Sequence, residues 1–418
     1  AITNAHKNAI DTLLELQEIW ADSVLEESQR QPIDIRPQII RTAEREDGTF
    51  EYAVLKRPLP PKILALCGGG AKGIVYPAAL KALEEAGQLA SIETYSGTSA
   101  GGITSACLAT GMTVDQYEDF TNEVQMDTLK QDVEDFSQKY TGITINWPRS
   151  AADLKGHHSG QMAIEKMDTK LSELTTHFLS NNWDQVEQAN LTAEKLERLE
   201  TLRDQTADQQ PRDPVMLTFK DLSILREVNP EKFKNLELTG FNLTQTQGVH
   251  YNATTTPDLP IAYAVRITMS LPTLFTSVSL PGSTDSLIDG GYYTNVPKFN
   301  ETEQTDTLVM AFSTGDYVKS SSHGPSPNAG VPEPGALSYK DRAKANGFGA
   351  LSGFTGLEQV WIDDKQKIFR SGANVIEMKH GEIETTDLNA PPEKIEFAKR
   401  EAYVMAKAHL SRTENSAV

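Results

Sequence analysis

The sequence predicts an α/β fold in which helices cover a mainly parallel sheet. Two observations point to this fold class. Between residues 63 and 110, short apolar segments typical of buried strands alternate with segments typical of helices, and each strand is followed by a glycine-rich turn. Parallel strands need a crossover connection, so alternation over short loops favours a parallel sheet. With 418 residues, of which 38% are hydrophobic, the chain is long enough to bury a large core.

The predicted elements follow a simple order. A strand at 63–66 precedes a helix at 74–86, and a strand at 91–96 precedes a helix at 100–110. Residues 113–215 interrupt this alternation and predict a helical insertion, because "AIEKMDTKLSELTTHFLSNNW" spaces its apolar residues along one helical face. The later elements are strands in "VMLTFKDL", "NLELTGFNLT", "SVSL", "TLVMAFS" and "NVIEMK", a helix in "AVRITMSLPTLF" that Pro272 stops, and a closing helix at 392–411.

The proline-broken stretches "RQPIDIRPQII" and "KRPLPPK" predict a domain boundary near residue 60. Residues 1–59 are then an N-terminal helical extension, with its helix at 6–29, followed by a linker. Residues 60–411 form the main domain and 412–418 a tail. Within that domain, the Gly-, Ser- and Pro-rich segment 318–358 is predicted to be a flexible loop. Its apolar end either inserts into a bilayer edge or packs on the core; the residues concerned are Phe348, Leu351, Phe354, Leu357 and Trp361.

The charge of the chain limits its partners. A formal net charge of −19 argues against nucleic acid and against simple adsorption to anionic membranes. The most acidic segment lies within the insertion, where eight acids and two lysines fall between Val114 and Tyr140. This segment is either a solvated face or a docking site for a basic partner.

The composition also bears on location. Two cysteines, Cys67 and Cys107, indicate a reducing compartment. The sequence shows neither a signal peptide nor an apolar run of the length that spans a bilayer, which predicts a cytoplasmic protein unless another export route serves it.

The first glycine-rich turn, "CGGGAKG" at 67–73, matches G-x-G-x-x-G through Gly68, Gly70 and Gly73. This pattern between a strand and a helix is also the fingerprint of dinucleotide binding. The nucleotide interpretation needs an acidic residue at the end of the second strand, whereas Glu93 stands near the start of that strand. A phosphate-binding P-loop is excluded as well, because the motif continues with isoleucine rather than Lys-Ser/Thr.

The second turn, "YSGTSAGG" at 95–102, contains G-x-S-x-G in Gly97, Ser99 and Gly101. Between a strand and a helix, this motif predicts a nucleophile elbow, in which a tight turn exposes the serine hydroxyl. The alternative is an ordinary glycine-rich turn with Ser99 as a helix N-cap. If Ser99 is a nucleophile, the first glycine-rich turn is best explained as an oxyanion hole of backbone N–H groups.

A base for the serine is suggested by "SLIDGGYYTNVP", in which an apolar strand leads to Asp289 and a glycine turn. The alternative is an aspartate that only forms a turn. The chain order Ser99, Asp289, His380 also matches an α/β-hydrolase catalytic triad, so a serine esterase with that triad remains an alternative.

Together, "GGGAKG", "GTSAGG" and "DGG" resemble the three signatures of patatin-like phospholipases, in the order of that family. The sequences around the first two motifs are similar to the bacterial secreted-effector branch of the family. The resemblance implies a three-layer α/β/α sandwich with a helical insertion. It also implies a catalytic dyad of Ser99 as nucleophile and Asp289 as general base, without a histidine. The implied oxyanion hole consists of Gly68, Gly69 and Gly70, and the supporting motif residues are Lys72, Gly73, Gly97, Gly101, Gly290 and Gly291.

The resemblance further implies hydrolysis of lipid acyl esters through an acyl-serine intermediate, as a phospholipase A or lysophospholipase that needs neither calcium nor a cofactor. It implies a bacterial effector or toxin that a specialised system secretes into the host cytoplasm, where it acts peripherally on phospholipid membranes and needs a host protein activator. Lys72 is expected either to contact a lipid phosphate or to be an ordinary solvated lysine. A catalytically silent, partner-binding effector is the remaining alternative.

Overall fold

The computed structural model of the protein describes most of the chain from residue 60 onward, together with an N-terminal hairpin. The described ranges are 38–44, 46–48, 50–56, 60–124, 128–146, 158–205, 215–271, 274–292, 307–312, 374–385, 387–411 and 414–417. Several sequence predictions fall outside these ranges: the helix at 6–29, the loop at 318–358 with the apolar residues at its end, and the helix stop at Pro272.

A nine-stranded mixed sheet forms the centre of the described structure. Its strands are β3 (Ile63–Leu66), β4 (Thr94–Gly97), β5 (Thr144–Ile145), β6 (Asn235–Asn242), β7 (Gln247–Tyr251), β8 (Val278–Ser279), β9 (Leu287–Asp289), β10 (Thr307–Phe312) and β11 (Asn374–Met378). Five of them are parallel in the order β11-β10-β3-β4-β6. The other strands, β9, β8, β5 and β7, join antiparallel on the side of β6. The prediction of a mainly parallel sheet is therefore confirmed for the central strands.

Helices surround this sheet. They are α1 (Tyr76–Glu85), α2 (Ala100–Ala109), α3 (Val114–Glu123), α4 (Phe136–Lys139), α5 (Gln161–Asn181), α6 (Trp183–Gln188), α7 (Ala193–Arg203), α8 (Phe219–Val228), α9 (Ile261–Thr268) and α10 (Pro392–Ser411). All six residues of β10 are buried, which shows that both faces of the sheet are covered there. Helices α3 to α7 confirm the helical insertion. No helix among the described residues has both the length and the apolar content needed to cross a bilayer.

One predicted strand is wrong. The segment "VMLTFKDL" at 215–222 leads into helix α8 instead of forming a strand. Thr218 accepts a hydrogen bond from the N–H of Asp221, and the Asp221 carboxylate accepts one from the N–H of Thr218. This reciprocal capping satisfies two N–H groups that a helix start leaves without partners, so it outweighs the strand propensity of the preceding apolar residues.

The region before residue 60 contains strands that the sequence analysis missed. Strand β1 (Gln38–Glu44) pairs antiparallel with β2 (Phe50–Lys56), and the chain end adds β12 (Glu414–Ala417) to β2. These three strands form a second sheet, so 38–56 is more than a linker and 414–417 more than a tail. The proline-rich stretches at both ends of this segment predict a linker, although the residues between them include several that favour strands.

Candidate active site

The turn after β4 has the backbone of a nucleophile elbow. Ser99 has φ 54° and ψ −122°, a conformation that residues with a side chain rarely adopt. It is the N-cap residue of α2, yet its side chain makes no capping hydrogen bond. The cap interpretation of this serine is therefore not supported. A strained turn that leaves the hydroxyl unused for capping is what a nucleophile requires.

The glycines on either side of the serine are required by space. A Cβ added at Gly97 would collide with the carbonyl oxygen of Gly101 and approach the hydroxyl of Ser105 to 2.5 Å. A Cβ added at Gly101 would collide with the carbonyl oxygen of Leu66, at the end of the neighbouring strand β3. The first turn of α2 thus packs directly on the sheet, and only glycine fits at both positions.

The sheet register places Asp289 beside this turn. Gly97 of β4 pairs with Leu238 of β6, and two residues further along β6, Gly240 pairs with Asp289 of β9. Leu238 and Gly240 also pair with β7, so β4 and β9 both lie on the opposite edge of β6. Ser99 lies two residues beyond Gly97, so the serine and the aspartate stand at the same level, on the same side of β6. Two residues that are far apart in the sequence therefore meet because β9 runs antiparallel to β6.

The carboxyl group of Asp289 is almost completely buried, with 1% of the residue exposed. Oδ1 accepts a hydrogen bond of 2.7 Å from the N–H of Gly291. Burial raises the pKa of Asp289 from its usual 3.8 to about 7, although the Ser99 hydroxyl and the Gly291 N–H both act to lower it. A carboxyl group with this pKa can accept a proton near neutral pH, which an ordinary aspartate does poorly.

The second oxygen, Oδ2, is buried without a well-formed hydrogen bond to any described residue. The Ser99 hydroxyl is nevertheless close enough to lower the pKa of Asp289. The hydroxyl therefore lies beside the carboxyl group without forming an aligned hydrogen bond to Oδ2. Catalytic hydrogen bonds are often loose before substrate binds.

The glycine-rich turn after β3 adjoins the elbow, because β3 and β4 are parallel neighbours. Its last residues form a 3₁₀ helix, Gly70–Val75. The N–H of Ala71 donates to the carbonyl oxygen of Thr385, whereas the structure records no acceptor for the N–H groups of Gly69 and Gly70 among the described residues. Unused N–H groups beside a nucleophile can stabilise an oxyanion.

Packing explains why this turn is so rich in glycine. A Cβ at Gly69 would approach the Phe312 ring to 2.5 Å, and one at Gly70 would collide with the carbonyl oxygen of Thr385. Gly70 also has φ +57°, the left-handed region that favours glycine. The turn is thus held between the end of β10 and the segment that precedes α10. Gly73 is packed against Ala100 of the elbow helix, where a Cβ would approach to 2.7 Å.

A cavity of about 460 Å³ opens over Ser99 and Gly70. Most of its lining is apolar and includes Ile103, Phe120, Leu129, Met269, Leu274 and Phe275. Three of its exposed lining residues are instead polar, namely Asn122, Asp387 and Asn389. Its size lies within the range of small-molecule sites. An apolar interior with a polar, exposed border suits an amphiphile whose acyl chain is buried and whose polar end faces outward.

His380 is placed differently from a triad histidine. Its Nδ1 lies 2.8 Å from the carbonyl oxygen of Ile383, and its ring packs edge-on against Phe312. The recorded hydrogen bond of the Asp289 carboxylate goes to Gly291, so the aspartate–histidine bond of a triad is not formed. Lys72 is half-buried in the 3₁₀ helix.

Sequence reasoning missed the support beneath the site. The N–H of Ser99 donates to the hydroxyl of Thr268 at 2.9 Å, and the N–H of Asp289 donates to the carbonyl oxygen of Ser270 at 3.2 Å. Arg266, which is fully buried, bonds the Ser270 hydroxyl. These residues lie in "AVRITMSLPTLF", whose composition indicates only a buried helix, so no pattern of spacing points to them.

The fold and this geometry define a class: an α/β protein that presents a strained serine turn, a glycine-rich amide turn and a buried carboxyl group at one edge of its sheet. A family model described as patatin-like phospholipase matches residues 64–298, which is more than half of the chain. The chain therefore belongs to the patatin-like phospholipase family, and its activity is that of a phospholipase-type hydrolase. No curated protein sequence matches it significantly.

Two solved structures show the extent of the likeness. VipD from Legionella pneumophila is 20% identical over 96% of this chain and 74% of its own length, with a TM-score of 0.53. ExoU, in its heterodimeric complex with SpcU from the type III secretion system of Pseudomonas aeruginosa, is 20% identical over 94% of this chain and 61% of the matched chain, with a TM-score of 0.47. At this identity, the similarity to VipD supports the shared fold alone.

Proposed function

We propose that the protein hydrolyses fatty-acyl esters of phospholipids, as a phospholipase A or lysophospholipase, through a dyad of Ser99 and Asp289. The observation that carries the proposal is the pairing of the strained, uncapped Ser99 with a buried carboxyl group whose pKa lies near 7. A base with this pKa removes the hydroxyl proton at neutral pH, so no histidine is needed between the two residues.

The reaction proceeds in two halves. The Ser99 hydroxyl oxygen attacks the ester carbonyl carbon while its proton passes to the Asp289 carboxylate. The N–H groups of Gly69 and Gly70, together with that of Gly68 in the same turn, stabilise the negative oxygen of the tetrahedral intermediate. Its collapse breaks the ester bond, and the departing alcohol takes the proton from Asp289. Water then attacks the acyl-serine while its proton passes to Asp289. Collapse of this second intermediate breaks the bond to Ser99, whose oxygen takes the proton back from Asp289, and the fatty acid is released.

The cavity supports a lipid substrate. Its apolar lining surrounds the reacting serine, and its exposed polar residues suit a headgroup that remains at the surface. The volume of about 460 Å³ at the serine favours burial of one acyl chain at a time. Residues 60–411 are proposed as the catalytic domain, which binds membranes peripherally while it works.

The role of a secreted bacterial effector that needs a host protein activator is part of the proposal. It is supported by the resemblance of the three glycine motifs to the secreted-effector branch and by the fold shared with VipD. The acidic helix α3 lines the cavity through Tyr117 and Phe120 and carries exposed acids such as Asp115 and Asp119 on its outer side. An activator that binds there would act close to the site.

The test measures fatty-acid release from mixed phospholipid vesicles, with and without host-cell extract. Ser99→Ala and Asp289→Asn are compared with wild type and with two control variants outside the site, Ser223→Ala and Asp258→Asn. We expect both site variants to lose about 10³-fold or more of the activity and both controls to retain it. Equal release by all five proteins would contradict the dyad, and release that does not depend on extract would contradict the activator.

A further inference from the structure

One short segment holds both reactive residues. It runs from Arg266 to Ser270, at the carboxyl end of helix α9. Its Thr268 hydroxyl accepts the N–H of Ser99, and its Ser270 carbonyl accepts the N–H of Asp289. The two contacts are only two residues apart, so the segment ties the nucleophile and the base to the same piece of backbone.

The segment itself is anchored by a buried arginine. The Arg266 guanidinium donates to the Ser270 hydroxyl, to the carbonyl oxygen of Ser159 and, at 2.9 Å, to the carbonyl oxygen of Thr276. The Ser270 hydroxyl in turn donates at 2.7 Å to the Arg266 carbonyl oxygen. All of these side chains are buried, so water does not compete for the bonds. The segment is therefore a rigid support rather than a mobile loop.

Both substituents of the Thr268 side chain are used. Its hydroxyl accepts the Ser99 N–H at 2.9 Å, and its methyl group occupies the space over Gly102, where an added Cβ would approach to 2.6 Å. Thr268 is fully buried. Without this hydroxyl, the Ser99 N–H would be buried without an acceptor, which is costly, and the strained φ of +54° would lose a direct restraint.

The hydrogen bond from the Ser99 N–H to Thr268 also limits which N–H groups can stabilise the oxyanion. In many serine hydrolases the N–H of the nucleophile itself contributes to the oxyanion hole. Here that N–H is already engaged by Thr268, so stabilisation has to come from the glycine-rich turn and from residues that follow the serine. Thr268 thus fixes the backbone of Ser99 relative to donors that lie on another loop.

We propose that Thr268 is a positioning residue, whose hydroxyl holds the Ser99 elbow in its reactive conformation while the same segment holds Asp289. This inference rests on the proposed function of Ser99 as the nucleophile. Thr268 does not touch the substrate in this account; it acts through the backbone of the serine. Its removal is therefore expected to lower the reactivity of Ser99 and to leave substrate binding nearly unchanged.

Two substitutions separate the roles of the hydroxyl and the methyl group. Thr268→Val keeps the shape and removes the acceptor, whereas Thr268→Ser keeps the acceptor and removes the methyl group. The control is Thr110→Val at the opposite end of α2, because the buried Thr110 hydroxyl bonds only helix carbonyl groups, at 2.7 Å and 3.0 Å. Each variant is measured for melting temperature, for kcat and KM on a soluble short-chain ester, and for the rate of labelling by a fluorophosphonate.

For Thr268→Val we expect kcat and the labelling rate to fall about 10- to 100-fold, with KM changed less than about 3-fold. Thr268→Ser should stay within about 3-fold of wild type, as should Thr110→Val. The inference is overturned if Thr268→Val, well below its melting temperature, labels as fast as wild type, or if Thr268→Ser is as impaired as Thr268→Val. Failure of wild type itself to label, even with host-cell extract and phospholipid vesicles present, would instead contradict the proposed function.

Discussion

Replacement of Asp289 by asparagine should make the protein less active and more stable at the same time. The carboxyl group is 1% exposed, and burial raises its pKa from 3.8 to about 7. In the unfolded chain the same group ionises near its usual pKa. Above that value, the folded state therefore binds more protons than the unfolded state, so this residue makes stability fall as pH rises from about 4 to about 7.

The size of the effect follows from the shift. Three pKa units correspond to about 4 kcal/mol of free energy, the cost of keeping this carboxylate ionised in the folded protein above about pH 7. Between about pH 6 and about pH 8 the cost still grows by about 1 kcal/mol, because the folded group remains partly protonated in this range while the unfolded group is already ionised. Asparagine has the same shape, keeps an oxygen for the Gly291 N–H, and carries no charge to bury.

The assay is urea unfolding of wild type and Asp289→Asn near pH 6 and near pH 8, with Asp119→Asn as the control at an exposed site. We expect Asp289→Asn to be more stable than wild type at both pH values, by a margin that widens by about 1 kcal/mol at the higher pH. The difference in unfolding free energy between Asp119→Asn and wild type should be the same at both pH values. The reasoning would be refuted if Asp289→Asn were less stable than wild type near pH 8. It would also be refuted if the difference in unfolding free energy between Asp289→Asn and wild type were the same at both pH values.

Four further outcomes are expected. Gly97→Ala should lose about 2 kcal/mol or more of unfolding free energy in urea titrations, because its Cβ would collide with the backbone of α2; a loss of about 1 kcal/mol, as for the unhindered Gly87→Ala, would contradict this packing. Ile103→Trp should narrow the cavity and lower turnover of long-chain esters at least about 10-fold more than that of butyrate esters; an equal loss on both would place the acyl chain elsewhere. His380→Ala should change kcat less than about 3-fold, whereas a triad would lose about 10³-fold or more. Chelation of divalent metals should leave lipid release unchanged within about 2-fold, since the dyad needs no Lewis acid; a strict calcium requirement would oppose it.

The parts of the site that can be predicted from a single sequence are those that local sequence determines. The glycine-rich turn between β3 and α1 and the elbow between β4 and α2 depend on neighbours in the chain, and the glycines of each turn mark them. The tight turn leaves no room for a side chain at Gly97 or Gly101, each two residues from Ser99.

Other parts depend on contacts that a single sequence does not display. Asp289 reaches Ser99 only through the antiparallel register of β9 on β6. An apolar strand that ends in an aspartate and two glycines marks it as a candidate, but only the resemblance implies its role as general base. The support from Thr268 and Arg266 is hidden in a helix of buried composition. The wrong strand prediction at 215–222, by contrast, is avoidable from the sequence. Thr218 and Asp221 have the spacing of a helix N-cap, which predicts the start of a helix there.

The most direct test of the dyad is the pH dependence of fluorophosphonate labelling in the presence of host-cell extract, with the modified residue identified by peptide mass spectrometry. The account predicts a single adduct on Ser99 in wild type, formed at a rate that rises to a plateau through about pH 7, where Asp289 loses its proton. In Asp289→Asn this step should be absent and the rate low throughout. An adduct on another serine, or the same pH profile in both proteins, would contradict the proposed pairing of serine and aspartate.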